Sequence, residues 1–217
     1  VERLVYSGSC SVYGTPAAEH VDEDTPTAPE SPYGETKLLG EWLARDVAAV
    51  HPLRYTSLRY FNVVGSAYPE VYDASPHNLF PIVFRAIDAG VPPKVHGDDY
   101  PTPDGSCIRD YIHVGDLADA HVLAADRLDG GDALPHAYNI GTGTGASVLQ
   151  VVDAVRRTLD IPLPVDIGPR RAGDPARIIA DGTRARDELG WTPTADLDDM
   201  VRDAWASWRT ADAHDPR

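Results

Sequence analysis

The chain has 217 residues, 42% of them hydrophobic, which suffices for the core of one large domain or two small ones and excludes a disordered polypeptide. Its net charge of −15 opposes nucleic acids and anionic membrane surfaces, so an anionic ligand must be met by a few placed cations; the only lysines are Lys37 and Lys94. Two cysteines, Cys10 and Cys107, are too few for a disulfide framework or a metal cage, and no apolar run reaches the length of a membrane span, so a reducing cytoplasm is the expected compartment.

Residue 1 is a valine and the only methionine is Met200. Residues 3–7 read at once as a buried parallel strand, so strands that pair with one of its sides are expected to precede residue 1. A Pro-rich acidic loop (20–32) leads to a helix over 33–50, with Leu38, Leu39, Trp42, Leu43 and Val47 spaced for one apolar face. Residues 55–64 read as a second strand. This strand, helix, strand order implies an α/β fold built on a parallel sheet.

Residues 65–105 are loops rich in Pro, Tyr, Asp and Gly around one helical stretch, 79–89, and long ordered loops beside a sheet commonly hold ligands. Regular structure resumes with a strand at 110–114, a helix at 115–128 and a strand at 137–140. A helix over 148–159 follows, with Ser147 placed as its N-cap. A strand at 163–167, a helix near 183–189 and a Trp-containing helix over 197–208 complete the expected elements.

The run Ser31-Pro32-Tyr33-Gly34-Glu35-Thr36-Lys37 carries chemistry. Four residues apart on a helix, Tyr33 and Lys37 share a face about one turn apart, so their side chains can converge on one ligand. A free tyrosine, with a pKa of about 10, is a poor base unless a nearby positive charge stabilises its phenolate, which Lys37 can supply. Upstream, the first strand ends in a serine cluster, Ser7-Gly8-Ser9-Cys10-Ser11-Val12-Tyr13-Gly14.

Together these two runs resemble the extended short-chain dehydrogenase/reductase superfamily, and most closely its UDP-glucose 4-epimerases. The resemblance continues collinearly through Leu58-Arg59-Tyr60-Phe61-Asn62-Val63-Val64-Gly65, His77-Asn78-Leu79-Phe80-Pro81, Asp99-Tyr100-Pro101-Thr102 and on to Asp116, Tyr138-Asn139-Ile140-Gly141 and Arg170-Arg171-Ala172-Gly173-Asp174. It implies the C-terminal part of a Rossmann-type parallel sheet plus a smaller mixed α/β substrate-binding domain. Residues 1–66 would be the remaining part of the NAD-binding domain and 67–217 mainly the sugar-nucleotide domain, with 110–140 returning to the Rossmann unit.

The resemblance also implies roles. Ser9 would hydrogen-bond the reacting sugar hydroxyl, Tyr33 would be the base at the sugar 4-hydroxyl, and Lys37 would hold the nicotinamide ribose and depress the tyrosine pKa. Tyr60 and Phe61 would border NAD. The UDP-sugar would be held by Asn62, Asn78, Leu79, Lys94, Val95, His96, Arg109, Arg171, Asp174 and Ile178, besides Ser9 and Tyr33, with the arginines as forked counter-ions for a diphosphate. A homodimer with the 33–50 helix as its interface element is implied as well. The acid and imidazole cluster Asp110, His113, Asp116 and His121 matches a structural strand-to-helix turn, so no metal is expected.

Three departures qualify the pattern. His96 stands where the family has an aromatic beside the uracil, and Ile178 stands at the position that helps decide whether N-acetylated sugars fit. The Gly-x-x-Gly-x-x-Gly turn that approaches the dinucleotide pyrophosphate is expected upstream of residue 1; Gly141-Thr142-Gly143-Thr144-Gly145 follows a late strand and is not it. The alternatives are a non-catalytic sugar-nucleotide-binding or interaction module, another nucleotide-sugar epimerase, and a 4,6-dehydratase, which loses on chemistry because it needs an extra acid and base where this chain has Cys10 and Ser11.

Overall fold

The computed structural model describes residues 1–171 and 173–214, the last four by backbone alone; Ala172 of the Arg-Arg-Ala-Gly-Asp run lies outside them. Strand β1 (Arg3–Ser7) leads into a 3-10 turn, Cys10–Tyr13, and a two-residue strand β2 (His20–Val21), followed by α1 (Pro32–Val50), β3 (Arg54–Tyr60) and β4 (Asn62–Val64). Next come α2 (Leu79–Asp88), β5 (Lys94–His96), β6 (Ile108–Arg109), β7 (Tyr111–His113), α3 (Val114–Gly130) and β8 (Ala137–Ile140). The last described elements are β9 (Ala146–Ser147), α4 (Val148–Leu159), β10 (Asp166–Gly168), β11 (Arg177–Ala180), a π-type turn at Ala185–Leu189, and α5 (Leu197–His214).

The main sheet is parallel in the order β1-β3-β8, with Arg3 opposite Arg54 and Ser57 opposite Ala137. Helices α1 and α3 pack on it, as parallel strands joined by helical crossovers require. The strand expected over 55–64 is two strands. At the break the Phe61 N–H donates to the Ile140 carbonyl (3.2 Å) and the Asn62 N–H to the Asp110 carbonyl (2.9 Å), so the chain passes from β8 to β7, with which β4 pairs. A second sheet, β2-β11-β6-β9, is parallel except for β6 and β9, and β5 pairs with β10 in parallel.

Helix α1 does not bury the face that its apolar spacing suggests. Gly34, Leu38, Glu41 and Ala44 face inward, while Leu39, Trp42, Leu43 and Val47 are 43–59% exposed. The inward stripe is narrow because its small residues admit close packing, and its one charge, Glu41, is neutralised by Arg59 from β3 (Oε2 to Nη2, 2.6 Å). Elsewhere the apolar stripes do point inward: Val151, Val152 and Val155 of α4 meet Phe80 and Phe84 of α2 and Met200 and Val201 of α5. Ser147 caps α4 in a full capping box with Gln150.

The strand expected at 163–167 begins only at Asp166, because the Leu163 carbonyl accepts from the Arg156 guanidinium (2.8 Å) instead of from a ladder neighbour. The helix expected near 183–189 is present, Thr183 and Arg184 being α-helical and Ala185–Leu189 a π-type turn, stopped by Gly190 at φ 75°.

Candidate active site

The sequence locks the start of α1 locally. The Ser31 hydroxyl accepts from the Gly34 N–H (3.1 Å) and Pro32 fills the first helical position, which puts Tyr33 in the first turn and Lys37 one turn on. A Cβ at position 34 would lie 2.6 Å from the Ser11 carbonyl oxygen, so only glycine lets the helix start rest against the serine turn. Lys37 Nζ donates to the Ser7 carbonyl (3.0 Å) and sits 5.6 Å from the centre of the Tyr33 ring. Among the described residues no carboxylate pairs with it. The ammonium's field is therefore available to the phenol.

Ser9 is buried at the mouth of the 3-10 turn, where its Oγ accepts from the Ser11 N–H (3.2 Å) and the Ser11 hydroxyl (2.9 Å). Both lone pairs are taken, which leaves its own O–H to donate.

A cavity of about 580 Å³ opens beside these groups, lined by Ser9, Tyr33, Tyr60, Phe61, Asn62, Asn78, Leu79, Lys94, His96, Arg109, Arg171 and Asp174 among others. Asn78 stands at the N-cap position of α2 without a side-chain capping bond, its amide donating instead to Asp73 (2.7 Å); the N–H groups of that helix start are left for an anion. Arg109 is held by the carbonyls of Ile108 and Pro175 (2.8 Å each) and faces Asp174 at 3.4 Å. In a chain of net charge −15 the wall thus gathers Lys94, Arg109 and Arg171.

Three expected residues do not line this cavity. Lys37 lies outside its wall, beside the Tyr33 ring. Val95 is buried between Lys94 and His96, as strand alternation demands. Ile178 packs into a core cluster with Val12, Tyr13, Leu38 and Phe61. Conversely, Cys10, Cys107, Tyr111, His77, Ile82 and Val148 are wall residues that were given no role from the sequence. The signal for two of them was a period of two: Cys107, Arg109 and Tyr111 alternate with the buried Ile108, Asp110 and Ile112.

Burial pushes the Cys10 thiol up to about 12, so at neutral pH it is neither a nucleophile nor a base. Burial also raises the Tyr60 phenol. The acid and imidazole residues are spent on the fold. Asp110 accepts from the N–H of Thr142, Gly143 and Ala180 and from the Thr142 hydroxyl, Asp116 from Thr194 and Ala195, and His113 Nδ1 from the Gly115 N–H. His121 Nδ1 bonds the Leu117 carbonyl and its Nε2 the Ser7 hydroxyl. A second cavity, lined by Thr142, Gln150, Arg157 and Asp196 among others, shares only Tyr111 with the first.

Residues 1–141 match the sequence pattern of the NAD dependent epimerase/dehydratase family. The chain belongs to that family. Among family relatives, a UDP-glucose 4-epimerase of Corynebacterium glutamicum is 46% identical over 213 residues, covering 95% of this chain and 63% of the relative. One of Streptomyces lividans is 43% identical over 215 residues, covering 97% and 64%. A crystal structure of UDP-glucose 4-epimerase from Stenotrophomonas maltophila with bound NAD and formylated UDP-arabinopyranose superposes with a TM-score of 0.92 at 42% identity, covering 99% of this chain and 66% of that one. This member of the epimerase/dehydratase family therefore spans a little under two thirds of the length of the relatives it matches.

Proposed function

We propose that the protein carrying this chain is a cytoplasmic UDP-glucose 4-epimerase that interconverts UDP-glucose and UDP-galactose with NAD as resident cofactor. The observation that carries this reading is the meeting, around one cavity, of a donor-only Ser9, a Tyr33 phenol without a hydrogen bond among the described residues and the wall cations, with the Lys37 ammonium beside the Tyr33 ring. Residues 1–66 would serve the cofactor side and 67–217 mainly the sugar nucleotide, with 110–140 returning to the first unit.

The donor set suits NAD. Lys37 spends one of three N–H donors on Ser7, which leaves two for ribose hydroxyls, and Tyr60 and Phe61 offer aromatic wall. When bound, NAD supplies an acceptor and donor of hydride. Tyr33 takes the proton of the 4-hydroxyl, with Lys37 stabilising the phenolate, and later returns it to O4 once the 4-keto sugar has turned its opposite face to the cofactor. Ser9 donates to O4 as it becomes a carbonyl oxygen. Lys94, Arg109, Arg171 and the α2 start grip the nucleotide diphosphate, which concentrates binding energy away from the hexose and leaves it free to turn. Dehydration across C5 and C6 is disfavoured, since the positions after Ser9 carry a neutral thiol and a hydroxyl.

The exposed stripe of α1, Leu39, Trp42, Leu43, Val47 and Val50, supports a homodimer built on this helix. In the full-length protein, NAD released on denaturation and a Tyr33→Phe variant that loses turnover while UDP binding stays near normal would bear the reading out. Unchanged turnover in Tyr33→Phe would refute it.

A further inference from the structure

The serine turn and α1 must be held in one relation if Ser9, Tyr33 and Lys37 are to act together, and the turn's own bonds are poor. Its closing contacts, Val12 N–H to the Ser9 carbonyl and Gly14 N–H to the Ser11 carbonyl, measure 3.3 and 3.4 Å. The far end of the turn is fixed from outside, by the Ala28 N–H donating to the Val12 carbonyl (2.9 Å) and by a buried side chain. Tyr13 is buried, and its hydroxyl accepts from Arg59 Nη1 (3.0 Å) and donates to Asn139 Oδ1 (2.7 Å). Asn139 is itself clamped, its N–H donating to Glu23 (2.6 Å) and its amide to the Val21 carbonyl (2.8 Å).

The same guanidinium reaches α1. Arg59 Nε and Nη2 grip both oxygens of Glu41 (3.0 and 2.6 Å), one turn beyond Lys37 and two beyond Tyr33. Its third nitrogen holds Tyr13, four residues beyond Ser9. One planar, forked cation thus spans the two elements that carry the three groups, in a geometry that a lysine cannot copy.

We propose that Tyr13 is a positioning residue for the 4-epimerase reaction: held between Arg59 and Asn139, its hydroxyl sets the turn bearing Ser9 relative to the helix bearing Tyr33 and Lys37. The inference rests on the function proposed above. A donor displaced by about 1 Å loses on the order of a hundredfold in rate. Losing the Tyr13 hydroxyl therefore acts on turnover and leaves the nucleotide grip alone, because Lys94, Arg109 and Arg171 are not joined to this chain of bonds.

The test uses the full-length, NAD-containing enzyme, assayed well below its unfolding midpoint. Tyr13→Phe is expected to lower kcat between about tenfold and a hundredfold, with KM for the UDP-sugar and affinity for UDP within about twofold. In a Ser9→Ala background the same substitution is expected to add nothing, since it acts through Ser9. An unchanged kcat in Tyr13→Phe, or a full additional loss in the Ser9→Ala background, overturns the inference. If Tyr13→Phe does not fold, Arg59→Lys, which keeps a charge opposite Glu41 but cannot hold both partners, is measured for the same fall in kcat at unchanged KM, and an unchanged kcat overturns the inference. Should Ser9→Ala and Tyr33→Phe themselves turn over normally, the epimerase reading falls; should they be crippled while Tyr13→Phe is normal, only the positioning role falls.

Discussion

Asp110→Asn isolates the worth of one buried carboxylate. Asp110 is fully buried; one oxygen accepts from the Thr142 N–H (2.8 Å) and hydroxyl (2.6 Å), the other from the N–H of Gly143 (2.9 Å) and Ala180 (3.1 Å). An asparagine offers only one acceptor oxygen. Its better orientation keeps that oxygen on Gly143 and Ala180 and turns its NH₂ toward Thr142, whose hydroxyl can rotate to accept. The part-buried Thr142 N–H is then left unpaired against another donor, at about 1–2 kcal/mol. The two surviving bonds lose their charge assistance, which costs roughly 1 kcal/mol more. The expected loss is therefore about 2–3 kcal/mol in urea unfolding followed by tryptophan fluorescence, seen as a lower midpoint at constant slope. A loss below about 1 kcal/mol would refute the view that these four bonds tie the 141–145 loop and β11 to β7.

Burial raises the Glu23 carboxyl above its ordinary 4.5, so between that value and its raised one the folded state holds more protons than the unfolded state. Stability attributable to Glu23 then falls as pH rises through that window, and Glu23→Gln, whose amide oxygen can still accept from the Asn139 N–H, is expected to flatten this slope in a pH series of unfolding midpoints. Arg171→Ala should weaken UDP binding in calorimetric titration and reduce its salt dependence, whereas unchanged affinity would remove Arg171 from the diphosphate site. Replacing Trp42 and Leu43 together by glutamate should convert a dimer into monomers in sedimentation velocity, and retention of the dimer would move the interface off α1.

The long elements were legible because their signals are local. Ser31-Pro32 opens α1, Ser147 and Gln150 open α4, and amphipathic spacing carries α2 and α5. Strands β2, β5, β9 and β11 have two to four residues each, too few for any period to show. The inward face of α1 was misread because Glu41 looks like a solvent residue until Arg59, 18 positions later, is seen opposite it. At the site, Ser9, Tyr33, Arg109 and Arg171 were legible as parts of collinear motifs, whereas Lys94 lies in none of them. The tether through Tyr13 was not, because Arg59 and Asn139 become its neighbours only when β3 and β8 pair.

The tight seat of Gly34 divides α1 into lanes of very different tolerance. Any side chain at 34 collides with the Ser11 backbone, and 38 and 41 meet the buried interior, whereas Glu35 and Thr36 between them look into solvent. Saturation mutagenesis would record this helix as a barcode, with forbidden positions separated by nearly free ones. The lane of Leu39, Trp42 and Leu43 would read as permissive in any screen for folding and restrictive in a screen for assembly. Two selections on one 19-residue segment would thus report separately on the proposed reaction centre and on the proposed dimer surface.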